Sequence, residues 1–270
     1  MKKYLPAGLM WLLFELIAVT LWIALDNVFY LLNFSYIGSA LGLGLAMYSA
    51  KLRYARNFVQ FAVGSYMLVY LGIICRENMQ LEGFWYYLFL GVFEAAVIHY
   101  AVAKIFGPVL FGRGWCGYAC WTAMVLDMLP FKTPQGGRRS FGYVSCVLFA
   151  ASLAFVGALF LFDAPDMGRI MWYAFIFGNL AYYVCGIVLA FKCRDNRAFC
   201  KYICPVTVLL RLSSRFALFR VRVDRGKCIS CGRCERVCPM DIRVSSAPDP
   251  KECILCLRCV EECPKDALKF

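Results

Sequence analysis

The stretch Cys228-Ile-Ser-Cys231-Gly-Arg-Cys234-Glu-Arg-Val-Cys238-Pro239 recurs 25 residues later as Cys253-Ile-Leu-Cys256-Leu-Arg-Cys259-Val-Glu-Glu-Cys263-Pro264. Three closely spaced thiolates can wrap three corners of an iron–sulfur cubane while the backbone folds around its sulfides. The fourth corner needs a thiolate from another direction, and the partner copy supplies it. The spacing therefore assigns Cys228, Cys231, Cys234 and Cys263 to one [4Fe–4S] cluster, and Cys253, Cys256, Cys259 and Cys238 to a second. Zinc ribbons use two-cysteine pairs without a trailing Cys-Pro, and disulfides are disfavoured on a reducing cytoplasmic face.

Outward from this repeat, residues 220–270 read as a small α+β two-cluster domain of the bacterial ferredoxin type. The alternation Phe219-Arg-Val-Arg-Val-Asp224 opens it with a short strand. Residues 206–219 read as a basic amphipathic helix in the membrane interface. Residues 1–205 are the membrane domain. Over the whole chain of 270 residues, 62% are hydrophobic and 17% charged, far from the roughly 45–50% and 25% of soluble domains. A spanning helix needs about 20 apolar residues, and six stretches reach that length. They are Leu5–Leu25, Val28–Ala50, Asn57–Cys75, Phe84–Ile105, Phe141–Phe162 and Ile170–Phe191. The first two form a tight hairpin through Asp26 and Asn27. No signal-peptide cleavage site interrupts the first run.

With the N-terminus inside, Arg76 and Arg169 alone among the 29 Lys and Arg fall outside. The inner side holds Lys51, Arg53, Arg56, Arg113, Arg138, Arg139 and everything after Lys192. The positive-inside rule then places both termini and all clusters on the cytoplasmic side of the inner membrane. The net charge of +12 reflects this sorting and attraction to anionic lipid. It does not mark nucleic-acid binding, because no reading helix or aromatic platform accompanies the basic residues.

A second repeat lies at the membrane edge. Arg113-Gly-Trp-Cys116-Gly-Tyr-Ala-Cys120 matches Arg197-Ala-Phe-Cys200-Lys-Tyr-Ile-Cys204. Residues i and i+4 share a helix face, so each pair presents two thiols together. Cys116, Cys120, Cys200 and Cys204 are the candidate third metal site, with Arg113 and Arg197 offsetting its negative charge. A redox-active thiol pair and simple packing of buried cysteines are the rival readings. Cys75, Cys146 and Cys185 read as packing residues.

The chain resembles the membrane-bound polyferredoxins. These include the ferredoxin-type quinol-dehydrogenase subunit of periplasmic nitrate reductase systems, the C-terminal half of the nitrous-oxide-reductase regulator, and the methylamine-utilisation ferredoxin. The family pairs two Cys-x3-Cys-Pro motifs at the membrane border with a C-terminal two-cluster ferredoxin, and residues 84–270 carry the likeness. Cys200-x3-Cys204-Pro205 fits the motif, whereas Cys120 is followed by Trp121. The resemblance implies an iron–sulfur electron-transfer protein serving a redox partner or a quinone. The alternatives are a quinol dehydrogenase component and, from another class, a redox sensor or maturation factor for a partner metalloenzyme.

Within the spans, Glu15, Glu94 and His99 are the costly ionisable groups. Glu94 and His99 are candidates for a quinone headgroup or a proton relay. Five residues apart on a helix, they point away from each other. His99 is the sole histidine, which excludes a bis-histidine haem from this chain alone. No dinucleotide fingerprint follows a strand, so flavin and nicotinamide binding have no support.

Overall fold

The computed structural model describes residues 2–52, 54–93, 95–136, 140–246 and 248–270. Arg53, Glu94, Arg138 and Arg139, all used in the sequence reading, lie outside the described residues. The chain is an α-helical membrane protein with a cysteine-rich C-terminal domain. Five helices are long and apolar enough to cross a bilayer.

The first two, α1 (Leu5–Leu25) and α2 (Val28–Ser49), form the expected hairpin. Asp26 turns the chain in the left-handed region at φ 48°, and the Phe29 amide donates to Asn27 Oδ1 at 2.9 Å. The helix α1 buries little besides Ala7 and Ala18 and otherwise presents Leu, Ile and Trp side chains outward. That is the surface a helix shows to lipid. Glu15 is satisfied inside this hairpin, where Ser35 Oγ donates to Glu15 Oε2 at 2.7 Å.

The third span begins as α3 (Ala55–Ser65) and continues as a π-helix over Tyr66–Ile74. The stretch Phe84–Ile105, expected as one span, is not one helix. A short α4 (Leu81–Phe89) is followed by a break containing Gly91 at φ 71°. The chain then resumes as α5 (Ala95–Tyr100), a π-helical stretch Ala101–Phe106, and α6 (Gly107–Phe111). Phe84 and Tyr100 stack with ring centroids 4.8 Å apart. On a single straight helix that pair would stand about 24 Å apart.

The physical reason for the break lies upstream. After Cys75 the chain turns back into the bundle in extended form instead of staying at its surface. Asn78 Nδ2 donates to Met171 O at 2.9 Å, and Gln80 packs against Gly178 further along the same neighbouring helix. From that depth α4 runs outward again. Tyr87 OH donates to Glu77 Oε2 at 2.7 Å, and Phe89 meets Phe160 at 5.5 Å. Segment 77–82 therefore folds back among the helices, and the apolar helix that follows, Ala96–Phe111, is shorter than the five span-length helices. Irregular backbone at this depth is tolerated only when protein surrounds it, and Asn78, Met79 and Gln80 are all buried. Gly83 is required here, since a Cβ would stand 1.7 Å from Asn78 O.

Two short helices follow, α7 (Gly114–Tyr118) and α8 (Trp121–Leu126), then the long spans α9 (Val144–Leu161) and α10 (Met167–Cys193). α11 (Ala198–Tyr202) and α12 (Thr207–Ser213) lead to the C-terminal domain. Of the amphipathic stretch 206–219, Thr207–Ser213 is α-helical and Ser214–Phe216 is a 3-10 turn. Leu210 is buried, whereas Leu212, Phe216 and Leu218 are exposed. In the C-terminal domain β1 (Arg222–Val223) pairs antiparallel with β2 (Leu268–Lys269). Two single-turn helices, α13 (Arg233–Arg236) and α14 (Arg258–Glu261), complete it.

Candidate metal centres

The 25-residue repeat is legible in the backbone as well as in the cysteines. Ser230 and Leu255, Gly232 and Leu257, and Asp241 and Asp266 are all left-handed, each pair at the same offset. Left-handed residues alternating with right-handed ones turn successive amides toward a common centre. Such a nest suits an anionic group, including iron–sulfur clusters. Non-glycine residues at these angles carry strain, which a surrounding ligand framework offsets.

Two cavities divide the eight cysteines. One is lined by Cys228, Cys231, Cys234 and Cys263, the other by Cys238, Cys253, Cys256 and Cys259. This is the division that cross-ligation requires. Burial pushes the Cys253 and Cys259 thiols up to about 12, a cost that disappears when a metal takes the thiolate. Among the described residues no three His, Cys, Asp or Glu close on a single ion. Four thiols line each cavity, the number that a cubane takes.

The membrane-edge repeat depends on long-range packing. Arg113 and Arg197 are both fully buried, and each reaches across to the other copy. Arg113 Nη2 donates to Cys200 O at 3.1 Å, and Arg197 Nη1 donates to Cys116 O at 3.0 Å. The two copies therefore face one another. Burial pushes the Cys200 thiol up to about 12, with Cys120 and Cys116 adding to the rise and Arg197 opposing it. Burial, Cys200, Cys120 and Cys116 likewise raise Cys204. All four thiols lie within electrostatic reach of one another.

Carboxylates hold this pair of arginines. Asp127 pairs with Arg197 at 2.5 Å and with Arg56 at 2.7 Å. Burial alone would raise its carboxyl, but Arg197 and Arg56 outweigh that and hold it down to about 2. Glu252 pairs with Arg113 at 2.7 Å and Arg211 at 2.8 Å. Lys201, between the two second-copy cysteines, is fully buried and bonded to Asp195 and Asp241. Since Glu252 precedes Cys253 and Asp241 follows Cys238, both ties lead to the second ferredoxin set.

That set also touches the first copy directly. Tyr118 OH donates to Leu255 O at 3.0 Å. A Cβ on Gly117 would stand 2.2 Å from Ile254 O, so only glycine admits this approach. Sequence reasoning missed the partners Asp127, Glu252 and Lys201, which have no motif of their own. It also missed Lys104, a buried cation near Cys116, Cys120 and Cys204. Its Nζ lies 4.8 Å from the Trp115 ring centroid, and it makes no ion pair among the described residues. An apolar helix with one lysine was the available signal.

His99 is brought to this site's edge, its ring 5.3 Å from Trp115, with Nε2 buried and without a hydrogen-bond partner among the described residues. Glu94 lies outside the described residues. The structure instead brings forward Gln80 and Glu82 from the re-entrant segment, whose Nε2 and Oε2 are buried without partners.

Membrane helices topped by cysteine-lined cavities define an iron–sulfur electron-transfer protein of the membrane. Comparison with known proteins agrees. Residues 221–244 and 247–269 match one family described as a 4Fe-4S binding domain, and 96–130 with 170–225 match a second family of the same description. An uncharacterised protein of Methanocaldococcus jannaschii is 35% identical over 92 residues, 34% of this chain and 37% of that protein. A second from the same organism is 25% identical over 226 residues, 73% of this chain and 94% of that one. The ferredoxin-type protein NapH of Haemophilus influenzae is 25% identical over 152 residues, 52% of each chain. The chain thus spans about a third of the first relative and about half of NapH. No solved structure matches it. The chain is thus similar to membrane polyferredoxins, and [4Fe–4S] clusters are its cofactors.

Proposed function

We propose that the chain conducts electrons between a redox partner at the exposed ferredoxin cysteines and the membrane domain, through three cysteine sets in series. The order is Cys228/Cys231/Cys234/Cys263, then Cys253/Cys256/Cys259/Cys238, then Cys116/Cys120/Cys200/Cys204. The carrying observation is the reciprocal pair of arginine bonds, Arg113 to Cys200 O and Arg197 to Cys116 O, beside the second ferredoxin set. When bound, the iron–sulfur groups supply one-electron chemistry. The polypeptide does the rest.

Arg113 and Arg197 clamp the two cysteine-bearing turns together. Glu252 and Asp127 fix those arginines, and an ion pair kept intact in a buried site is far less costly than a broken one. Lys104 adds a positive charge that no carboxylate among the described residues pairs with. Gly117 and Tyr118 hold the ferredoxin domain against the membrane-edge turns, keeping the second and third sets close. Tunnelling weakens steeply with distance, so this contact governs the rate. The basic sorting of the loops supports a cytoplasmic face for all three sets and both termini, and the exposed Leu212, Phe216 and Leu218 support an interfacial seat for 206–219.

Within the membrane, the donor or acceptor that we favour is a quinone. The buried, unpartnered Gln80 Nε2, Glu82 Oε2 and His99 Nε2 support hydrogen-bonding to its headgroup.

Anaerobic reconstitution tests the three-set reading. The chain is expected to hold about twelve iron atoms, and Cys116→Ala or Cys200→Ala to hold about eight with both ferredoxin signals intact. An unchanged iron content in both variants removes the third set.

A further inference from the structure

The two ferredoxin sets have opposite surroundings. The second is pressed on the membrane domain through Gly117, Tyr118, Arg113 and Lys201. The cavity of Cys228, Cys231, Cys234 and Cys263 has no lining residue with a hydrogen bond or ion pair to the membrane domain, among the described residues. It opens to solvent. Cys231 is exposed, and Ile229 at its mouth is 58% exposed.

The segments that form this mouth are rich in cations. Lys227, Arg233, Arg236, Arg243 and Lys265 are all exposed, and none makes an ion pair among the described residues. Arg233 and Lys265 line the cavity itself, and Arg236 Nη1 lies 4.0 Å from the Cβ position of Gly232. The nearby carboxylates are largely engaged. Glu235 accepts from Ser245 Oγ at 2.5 Å, and Asp224 accepts from the Gly226 amide at 3.1 Å. Asp266 beside Lys265 and Glu262 beside Cys263 stand exposed, fewer than the five cations. These cations contrast with those of the membrane edge, where every arginine with a buried side chain meets a carboxylate.

Resting on the electron-transfer reading above, we propose that this face docks a soluble redox protein whose own cofactor edge is ringed by carboxylates. Unpaired charges around a single exposed cofactor site raise the encounter rate and orient the partner, and they add little to stability. An apolar centre at Ile229 inside a charged rim is the anatomy of a transient interface. A membrane as occupant is disfavoured, because this end of the domain makes none of the contacts that join it to the membrane block.

The test uses the full chain in nanodiscs and an acidic [2Fe–2S] ferredoxin as carrier, with electron exchange followed by stopped flow. The second-order rate is expected to fall about tenfold or more between roughly 20 and 500 mM salt. The triple variant Lys227→Glu, Arg236→Glu, Lys265→Glu is expected to lose a similar factor. It should keep both ferredoxin signals in its spectrum and react faster with a cationic cytochrome. A salt-insensitive wild-type rate overturns the proposal without needing any variant. So does an unchanged rate in a variant with intact clusters. Charge-dependent attachment to phosphatidylglycerol vesicles, with carrier rates unmoved, assigns the face to lipid and also overturns it. Exchange that is fast but blind to charge sinks the docking face alone. Failure of every protein carrier, while dithionite still reduces the clusters, sinks the electron-transfer reading itself.

Discussion

The molecule contains two cysteine repeats, and they are built by different means. In the C-terminal pair the copies are 25 residues apart, and the same three left-handed positions recur in each. The site is made by local backbone, and a stretch of about 50 residues contains all it needs. In the membrane-edge pair the copies are 84 residues apart, and two whole spans separate them. Nothing local joins Cys116 to Cys200. Their meeting is made by buried arginines that cross from one copy to the other and by carboxylates, Asp127 and Glu252, that stand in neither. One repeat is thus robust to distant change, while the other depends on distant residues.

The harshest way to test that difference is Asp127→Asn. It leaves Arg197 and Arg56 without their shared carboxylate in a buried site, at a cost of about 3–5 kcal/mol. Iron of the membrane-edge set should be lost and thermal stability reduced, while the ferredoxin signals survive. Equal loss from all three sets would show that the two repeats are not independent.

Lys104→Met is the next step down. Removing a neighbouring unit charge at an effective dielectric of about 20 changes the energy by on the order of 1–4 kcal/mol, or roughly 40–170 mV for one electron. The membrane-edge potential should fall by that order in a redox titration, the ferredoxin potentials should hold, and Lys104→Arg should restore most of the shift. A potential that ignores Lys104→Met would separate this lysine from the site.

Tyr118→Phe is the mildest. It removes one hydrogen bond to Leu255 O, a loss of about 0.5–1.5 kcal/mol. The expected result is a small fall in melting temperature with iron content unchanged. Loss of iron from the Cys253 set would mean that the contact organises the ferredoxin domain, not only its seat.

The contrast also explains what was legible. The ferredoxin block could be read as a 4Fe-4S domain, because its cysteine spacing is local to one small fold. Spans α1, α2, α9 and α10 followed from apolar length. The stretch 84–105 did not, because hydropathy scores residues one by one and cannot see a chain turning back on itself. Leu81–Phe89 and Ala95–Phe111 are both apolar, so a re-entrant half-helix and a crossing look the same. Gly83 and Gly91 were the only local marks of the difference, and a glycine in a span is not unusual. Gln80 and Glu82 fall between the predicted spans, and only the fold shows them buried among protein groups.

By itself, the amino-acid sequence determined the membrane block, the hairpin at Asp26–Asn27, the two local cysteine sets and the existence of a second repeat. These rest on short-range chemistry: apolar length against bilayer thickness, and thiol spacing against cluster size. Only the tertiary structure decided that Cys116 faces Cys200, that Lys104 stands beside them with no ion pair among the described residues, and that one ferredoxin set is seated on the membrane domain while the other stands clear of it. Those outcomes depend on which helices pack together. The packing is set by many weak contacts summed over distant residues, and no single spacing in the sequence records that sum.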